Sequence, residues 1–194
     1  MRMQNRNFPR PIGGGRRTRG MALLDILMYT ALVALALYGV FVLAQKVFGK
    51  SAVNEEAQQF LEMSNDTAMT FAKTQGNFAG VTVAQLLAHN LVPKKMINGT
   101  SIQTAAWSTP VTVAPASLTG STADALSYTY SVPRTECSEF VTTVAGALGK
   151  VTVGGTTIKD VANGVPNVNM TALGTSCNAT AGTGNVSLVL TRGR

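Results

Sequence analysis

Residues 16–44 decide the fold of this chain, and they have the sequence RRTRGMALLDILMYTALVALALYGVFVLA. The 19 residues from 26 to 44 contain no charged side chain. As a helix they would extend over roughly 28 Å, at about 1.5 Å per residue, which is close to the hydrocarbon thickness of a bilayer. The stretch therefore predicts a membrane-spanning helix with a single acid, Asp25, just before the uncharged run.

The charges that precede this helix predict its orientation. Six of the sixteen Lys and Arg residues lie in residues 1–20, and no acid does. The positive-inside rule then keeps residues 1–20 in the cytoplasm and sends the C-terminal part of the chain across the membrane. A secretory signal peptide fits less well, because its apolar core has about 7 to 15 residues. A plain signal anchor stays open, but it does not explain Asp25, since a carboxylate near a spanning helix is costly without a partner.

Gly20 followed by Met21, with Asp25 fifth after that junction and an apolar helix beyond, resembles the type IV prepilins. The resemblance implies a leader peptide of residues 1–20, cleavage between Gly20 and Met21 by a prepilin peptidase, and methylation of the new amine of Met21. The long leader and the Met at the new terminus resemble type IVb pilins more than type IVa pilins. Asp25 stands where the family usually has Glu, so the charge is kept on a side chain that is one methylene shorter.

The position of Asp25 predicts a role in assembly. Inside an apolar environment its carboxylate can be neutralised by the Met21 ammonium of a neighbouring subunit, because opposite charges attract far more strongly there than in water. We therefore expect Asp25 to recruit each new subunit to the base of a growing filament.

The charge of the chain depends on the leader. The full sequence has a formal net charge of +7, but without the six Arg residues of residues 1–20 the remaining part has ten basic and nine acidic residues. A nearly neutral chain lacks the clustered basic patch that phosphate binding requires. We therefore expect no specific nucleic-acid partner.

The helix is predicted to continue well beyond the apolar run. Residues 45–73 contain no proline, and Phe60, Met63, Met69 and Phe71 belong to an irregular apolar stripe. This pattern predicts one long helix over residues 21–75, with residues 21–44 in the membrane or the filament core. Residues 76–194 are then expected to form a globular head outside the cytoplasm.

The head has the sequence pattern of an α+β fold. Thr82 and Gln85 form a capping box that predicts a short helix, and Thr135 is expected to cap a second one. Short β-like runs are predicted around residues 101–106, 111–113, 126–132, 151–158 and 186–190. We expect a type IV pilin fold with an antiparallel sheet against the long helix, and exposed loops over the Gly-, Thr- and Asn-rich residues 154–183.

The two cysteines predict one disulfide bond. Cys137 falls on the apolar face of the helix that follows Thr135, and Cys177 is the only possible partner within the chain. In the oxidising space beyond an inner membrane such a pair should close. The bond would contribute about 4 kcal/mol in the chain-entropy model. A segment bounded by two cysteines also resembles the disulfide-bounded region of type IVb pilin heads.

The sequence offers little for catalysis. It has one histidine, nine scattered acids, no CxxC pair and no nucleophile motif. These residues form neither a catalytic constellation nor a metal-ligand set. We therefore expect no enzyme activity, no cofactor and no metal.

We expect the chain to be the major structural subunit of a type IVb pilus, which is a helical filament of copies of itself. The resemblance implies four further partners: a prepilin peptidase, an assembly ATPase, its inner-membrane platform and an outer-membrane secretin. It also implies an inner-membrane stage before assembly and then an extracellular pilus (fimbrium) of a Gram-negative bacterium. A minor pilin or a type II secretion pseudopilin, and a signal-anchored periplasmic binding module, remain alternatives. The sequence leaves adhesion, conjugation, aggregation and secretion open as tasks of the filament.

Overall fold

The structure, a computed structural model, describes residues 19–74, 76–179 and 184–193. Within its first helix it describes the side chains of residues 26–41, 51–71 and 73. The chain divides into two compact units, Met1–Gln45 and Lys46–Arg194. In the described part, the first unit consists of helix alone.

The described residues contain four α-helices and seven β-strands. The helices are α1 (Arg19–Thr74), α2 (Val83–Ala88), α3 (Arg134–Val144) and α4 (Met170–Ala179). The strands are β1 (Ile97–Asn98), β2 (Ser101–Gln103), β3 (Pro110–Ala116), β4 (Ala125–Pro133), β5 (Lys150–Val153), β6 (Thr156–Asp160) and β7 (Asn185–Gly193). Short 3₁₀ turns occupy Lys94–Met96 and Ala145–Ala147.

The seven strands form one antiparallel sheet in the order β1-β2-β3-β4-β7-β5-β6. Its centre is the long pairing of β4 with β7, which runs from Ala125 opposite Gly193 to Pro133 opposite Asn185. Leu126, Tyr128, Tyr130 and Val132 of β4 are buried and alternate with half-buried Ser and Thr residues. One face of the strand therefore faces the core, as its alternating pattern predicts.

The part of α1 that belongs to the second unit packs on this sheet. Its buried positions lie three or four residues apart along one helix face: Val53, Glu56, Ala57, Phe60, Met63, Ser64, Thr67 and Phe71. The Phe60 ring meets the rings of Tyr128 and Tyr130 edge-on, with both centroid distances at 5.4 Å and both interplanar angles at 88°. Such edge-to-face contacts add to the burial of large apolar area. The predicted α+β fold class, with an antiparallel sheet, is confirmed.

The predicted starts of the two short helices have different outcomes. Thr82 does cap α2: its hydroxyl accepts from the Gln85 N–H at 3.4 Å, and the Gln85 side chain accepts from the Thr82 N–H at 3.3 Å. The predicted cap at Thr135 is wrong. α3 begins one residue earlier, after Pro133, which offers no side-chain cap but has no N–H to leave unsatisfied.

Residues 154–183 are only partly the exposed loops that their composition predicts. The run 151–158 is two strands, because Gly154 and Gly155 take φ values of +55° and +85° and turn the chain from β5 into β6. Residues 161–167 are exposed, but α4 follows and buries Leu173 and Cys177. The expectation of loops throughout is therefore wrong for β6 and α4.

Candidate functional site

The N-terminal part of α1 has an exposed apolar surface. We define the N-terminal apolar surface as the side chains of residues 26–41, all of which are exposed. Its large hydrophobic residues range from 47% exposed at Val33 to 74% at Tyr29. They occur on every side of the helix, because four of them are the consecutive residues 26–29 and successive residues are about 100° apart.

A surface of this kind is a strong driving force for association. A helix that is hydrophobic all round is normally buried, either in a large protein core or in a membrane. Full burial of one large apolar side chain contributes about 1.5–3 kcal/mol relative to exposure. The hydroxyl of Thr30 does not oppose such burial, because it already donates to the Leu27 carbonyl at 2.9 Å. The N-terminal apolar surface is therefore the candidate assembly surface.

Gly20, Met21 and Asp25 lie in the first turns of α1, ahead of this surface. Their side chains, like those of residues 42–44, are outside the described part of the chain. The predicted junction, methylation site and assembly residue thus stay predictions. Among the described residues, no helix has an apolar stretch long enough to cross a membrane.

The disulfide region is built from α3, α4 and the two strands between them. Cys137 of α3 and Cys177 of α4 are both buried and joined by a disulfide, with their Cα atoms 5.8 Å apart. The buried Lys159 amine on β6 donates to the Ala145 carbonyl at 2.6 Å, just after α3 ends. A cation at this place also suits the negative end of the helix dipole. The bond therefore joins two helices that the strands already bring together.

An ion pair links the two strands of this region. The Lys150 amine lies 3.1 Å from the Asp160 carboxylate, and the Asn163 side chain donates to the same oxygen at 2.9 Å. The hydrogen bond from Asn163, followed by the contact with Lys150, holds the pKa of Asp160 below its usual value. These contacts fix the start of the exposed loop that precedes α4.

Candidate chemistry is scarce on the rest of the described surface. A shallow groove of about 390 Å³ is lined by Leu118, Thr119, Gly120, Ala162 and Asn163, none of which is ionisable. No group of three or more His, Cys, Asp or Glu side chains is close enough to hold a metal ion in the part of the chain that the structure describes.

Comparison with known proteins identifies the family. The family model described as "PilS N terminal" matches residues 50–192, which is most of the chain. The fold is similar to the crystal structure of TcpA, a type IV pilin from Vibrio cholerae El Tor biotype, with a TM-score of 0.54 and 17% identity. That match covers 73% of this chain and 99% of TcpA. A search of curated protein sequences gives no match.

The match to the family model and the shared fold agree with the contacts described above. A helix packed on an antiparallel sheet, with a disulfide joining α3 to α4, makes up the matched residues. The chain belongs to the PilS N-terminal family, and its fold is that of a type IV pilin.

Proposed function

We propose that the chain is the major structural subunit of a type IVb pilus, cleaved between Gly20 and Met21 and polymerised through α1. The observation that carries this proposal is the N-terminal apolar surface, which is exposed on all sides in the single chain. Copies of the same helix, packed together, would cover it with surfaces of the same chemistry. Membership of a pilin family supports the filament as the assembly that provides those copies.

Before assembly, residues 21–44 would reside in the inner membrane, with the leader of residues 1–20 in the cytoplasm. The uncharged run of residues 26–44 and the six Arg residues ahead of it support this stage. Residues 76–194 would then form the globular head outside the cytoplasm. After polymerisation the subunit belongs to the extracellular pilus of a Gram-negative bacterium.

The proposed partners follow from this route. A prepilin peptidase would cut the leader and methylate Met21, and an assembly ATPase with its inner-membrane platform would drive polymerisation. The filament would cross the outer membrane through the channel of a secretin. Copies of the chain itself are the main partner, and no cofactor, metal or specific nucleic acid is part of the proposal.

Two other functions use some of the same features. A minor pilin or a type II secretion pseudopilin would share the junction at Gly20 and the helix, but it would be scarce in the filament. A signal-anchored periplasmic binding module would keep its apolar helix in the membrane and would not need Asp25. Family membership favours the first of these alternatives over the second.

Shearing surface filaments from the bacterium and imaging them by electron microscopy tests the proposal. Quantitative mass spectrometry should show this chain as the main component, and a strain without its gene should yield no such filaments. If the chain is a trace component of filaments built from another pilin, it is a minor pilin. If it stays in the membrane fraction and no filament contains it, the proposal is wrong.

A further inference from the structure

Glu56 is an acid buried inside the second unit, and assembly makes no use of it. It lies on α1, and its exposed fraction is 0%. Its Oε2 atom accepts a hydrogen bond from the Ala106 N–H at 2.9 Å, whereas its Oε1 atom is buried with no hydrogen-bond partner among the described residues. A buried carboxylate with one unpaired oxygen is costly to ionise.

The Ala106 N–H belongs to a loop that lies over Glu56. We define the cover loop as residues 104–109, between β2 and β3. It is closed on itself by two backbone bonds, from the Thr104 N–H to the Thr109 carbonyl at 2.8 Å and from the Ser108 N–H to the Thr104 carbonyl at 3.1 Å. The hydroxyl of Thr109 also donates to the Ser131 carbonyl at 2.6 Å. The loop is therefore a compact turn that is joined to α1 through Ala106 and to β4 through Thr109.

The cover loop makes a second contact on its other side. The Trp107 ring packs edge-on against Phe140 at 5.5 Å, and its Nε1–H donates to the Glu136 carboxylate at 3.2 Å. Trp107 is the only tryptophan of the chain. Any opening of the loop thus changes the surroundings of one indole.

The charges around Glu56 do little to compensate its ionisation. Burial raises the pKa of Glu56 to about 6, the N–H groups of Ala106 and Ala105 oppose the rise, and the neighbouring charge of Glu55 adds to it. Glu55 is itself paired with Lys95 at 2.5 Å.

Among the described residues, neither of the two ion pairs, Lys95 with Glu55 and Lys150 with Asp160, includes Glu56. From β4, Tyr130 is fully buried and its hydroxyl has no partner among the described residues. Its pKa is well above the usual value, first because of burial and then because of the charge of Glu56. The cover loop contains no ionisable side chain, and α3 contributes Glu136 next to Trp107.

We propose that the protonation state of Glu56 controls whether the cover loop is closed on α1 or open. When the carboxyl group is protonated, both oxygens can stay in the dry interior, and the loop remains closed on α1. When it loses its proton to water, the anion is best solvated if the loop lifts and admits water to Oε1. Deprotonation thus favours opening, and the Trp107 side of the loop becomes accessible at neutral pH more often than in mild acid.

The dependence on pH has a defined window. The closed loop holds the proton of Glu56 with a pKa of about 6, whereas the carboxyl of an open loop returns towards the ordinary value of 4.5. The closed form therefore binds the proton more tightly, and opening becomes more frequent as the pH rises from 4.5 to 6. The opening equilibrium should increase about 8-fold between pH 4.5 and pH 6, and about 30-fold in total from well below pH 4.5 to well above pH 6.

Amide hydrogen exchange on the full chain in detergent measures this equilibrium. The protection factor of the Ala106 N–H, which is the unprotected peptide rate divided by the observed rate, should fall about 15-fold between pH 4.5 and pH 7. Trp107 fluorescence should change over the same window. The Gly154 N–H, which is bonded to the Ser187 carbonyl at 2.9 Å, serves as a reference outside the loop.

Two variants complete the test. Glu56→Gln keeps an acceptor for Ala106 but cannot ionise, so the pH dependence at Ala106 should disappear. Glu55→Gln, one residue away on the same helix, should keep it. A protection factor at Ala106 that is constant with pH in the wild type would overturn the proposal, and so would a change that persists in Glu56→Gln or appears equally at Gly154. Even if Glu56→Gln does not fold, the pH dependence of the Ala106 protection factor in the wild type still tests the proposal.

Discussion

Asp25 is the residue on which the proposed assembly depends most. A carboxylate ahead of an apolar helix costs free energy in a membrane, so anchoring alone gives no reason to keep it. Replacing Asp25 with Ala should therefore leave insertion and cleavage normal but prevent filament formation. Asp25→Glu, which keeps the charge, should still assemble. The measurement is electron microscopy of cells, together with immunoblots of the processed and unprocessed chain.

The two Asp25 variants separate packing from charge. If Asp25→Ala forms normal pili, apolar packing alone sets the position of each subunit, and the proposed contact with the Met21 amine is wrong. If Asp25→Ala is not cleaved, the residue acts at processing, before any contact between subunits.

Single residues of the core show what a sequence pattern can and cannot predict. Alternation in β4 correctly places Tyr128 and Tyr130 on one face, and helical spacing correctly places Phe60 on the apolar side of α1. Their mutual contacts depend on how the helix lies on the sheet, which periodicity does not specify. Met69 was expected on the apolar stripe, yet it is 59% exposed, because the buried face follows Thr67 and Phe71 instead.

Glu56 shows how far the sequence alone can predict the candidate sites. In the sequence it is one of two adjacent acids on a helix, and nothing distinguishes it from Glu55. Only the cover loop, folded back from 50 residues further along the chain, buries one acid and leaves the other partly exposed. Gly20, Met21 and Asp25 could be proposed from the sequence because a peptidase junction is a local motif, and their roles stay predictions.

Among the elements, the disulfide joins α3 to α4, and its loss should weaken the C-terminal part of the head. Cys177→Ser removes the cross-link and should lower the free energy of unfolding by roughly 2–5 kcal/mol. Membrane insertion should be unaffected, but fewer pili should form because the destabilised chain is degraded. Denaturant unfolding of the full chain, with and without reductant, measures the change.

Reductant provides the matched control for this variant. It should lower the stability of the wild-type chain to that of Cys177→Ser and leave the variant unchanged. Labelling of both cysteines by a thiol reagent in the native, unreduced filament would contradict the account.

The loop before β4 is positioned by a close contact with two glycines. A Cβ atom added at Gly149 would overlap Cδ2 of Leu118, and one added at Gly193 would lie 3.1 Å from the same atom. Gly149→Ala should therefore displace Leu118 and destabilise the fold by about 1 kcal/mol, the low end of the cost of overpacking, because Leu118 is half-buried and its methyl groups can shift. Thermal unfolding of the variant measures the effect.

Gly146 supplies the control, because a Cβ added there has no neighbour within 4 Å. Gly146→Ala should change stability by less than about 1 kcal/mol and can increase it. Adding Leu118→Ala to Gly149→Ala should cancel part of the loss. If Gly149→Ala is as stable as Gly146→Ala, the position of Leu118 does not require a residue without a Cβ atom at position 149, and this prediction is wrong.

Elements with weak patterns were the ones that the sequence did not predict. Half of the residues of α4 are Gly, Thr, Ser or Asn, which favour a helix only weakly, yet burial of Leu173 and the bond at Cys177 hold it in place. β1 has two residues and exists through its pairing with β2. Tertiary contacts outweigh local propensity in both cases.

At the scale of the whole molecule, the two units differ in how far they bury their apolar side chains. The second unit buries its own core between α1, the sheet and α3. The N-terminal apolar surface has no comparable cover within the described chain. Such a surface favours burial in a membrane or against copies of the same helix, and this is why we propose the filament, rather than the single chain, as the functional unit.

The mass of the chain in purified sheared filaments tests the central claim most directly. Intact-protein and N-terminal peptide mass spectrometry should show one dominant chain that begins at Met21, carries a methylated amine and has its two cysteines oxidised. A filament subunit that retains residues 1–20, or that begins at any other residue, would contradict cleavage at Gly20 and with it the proposed route of assembly.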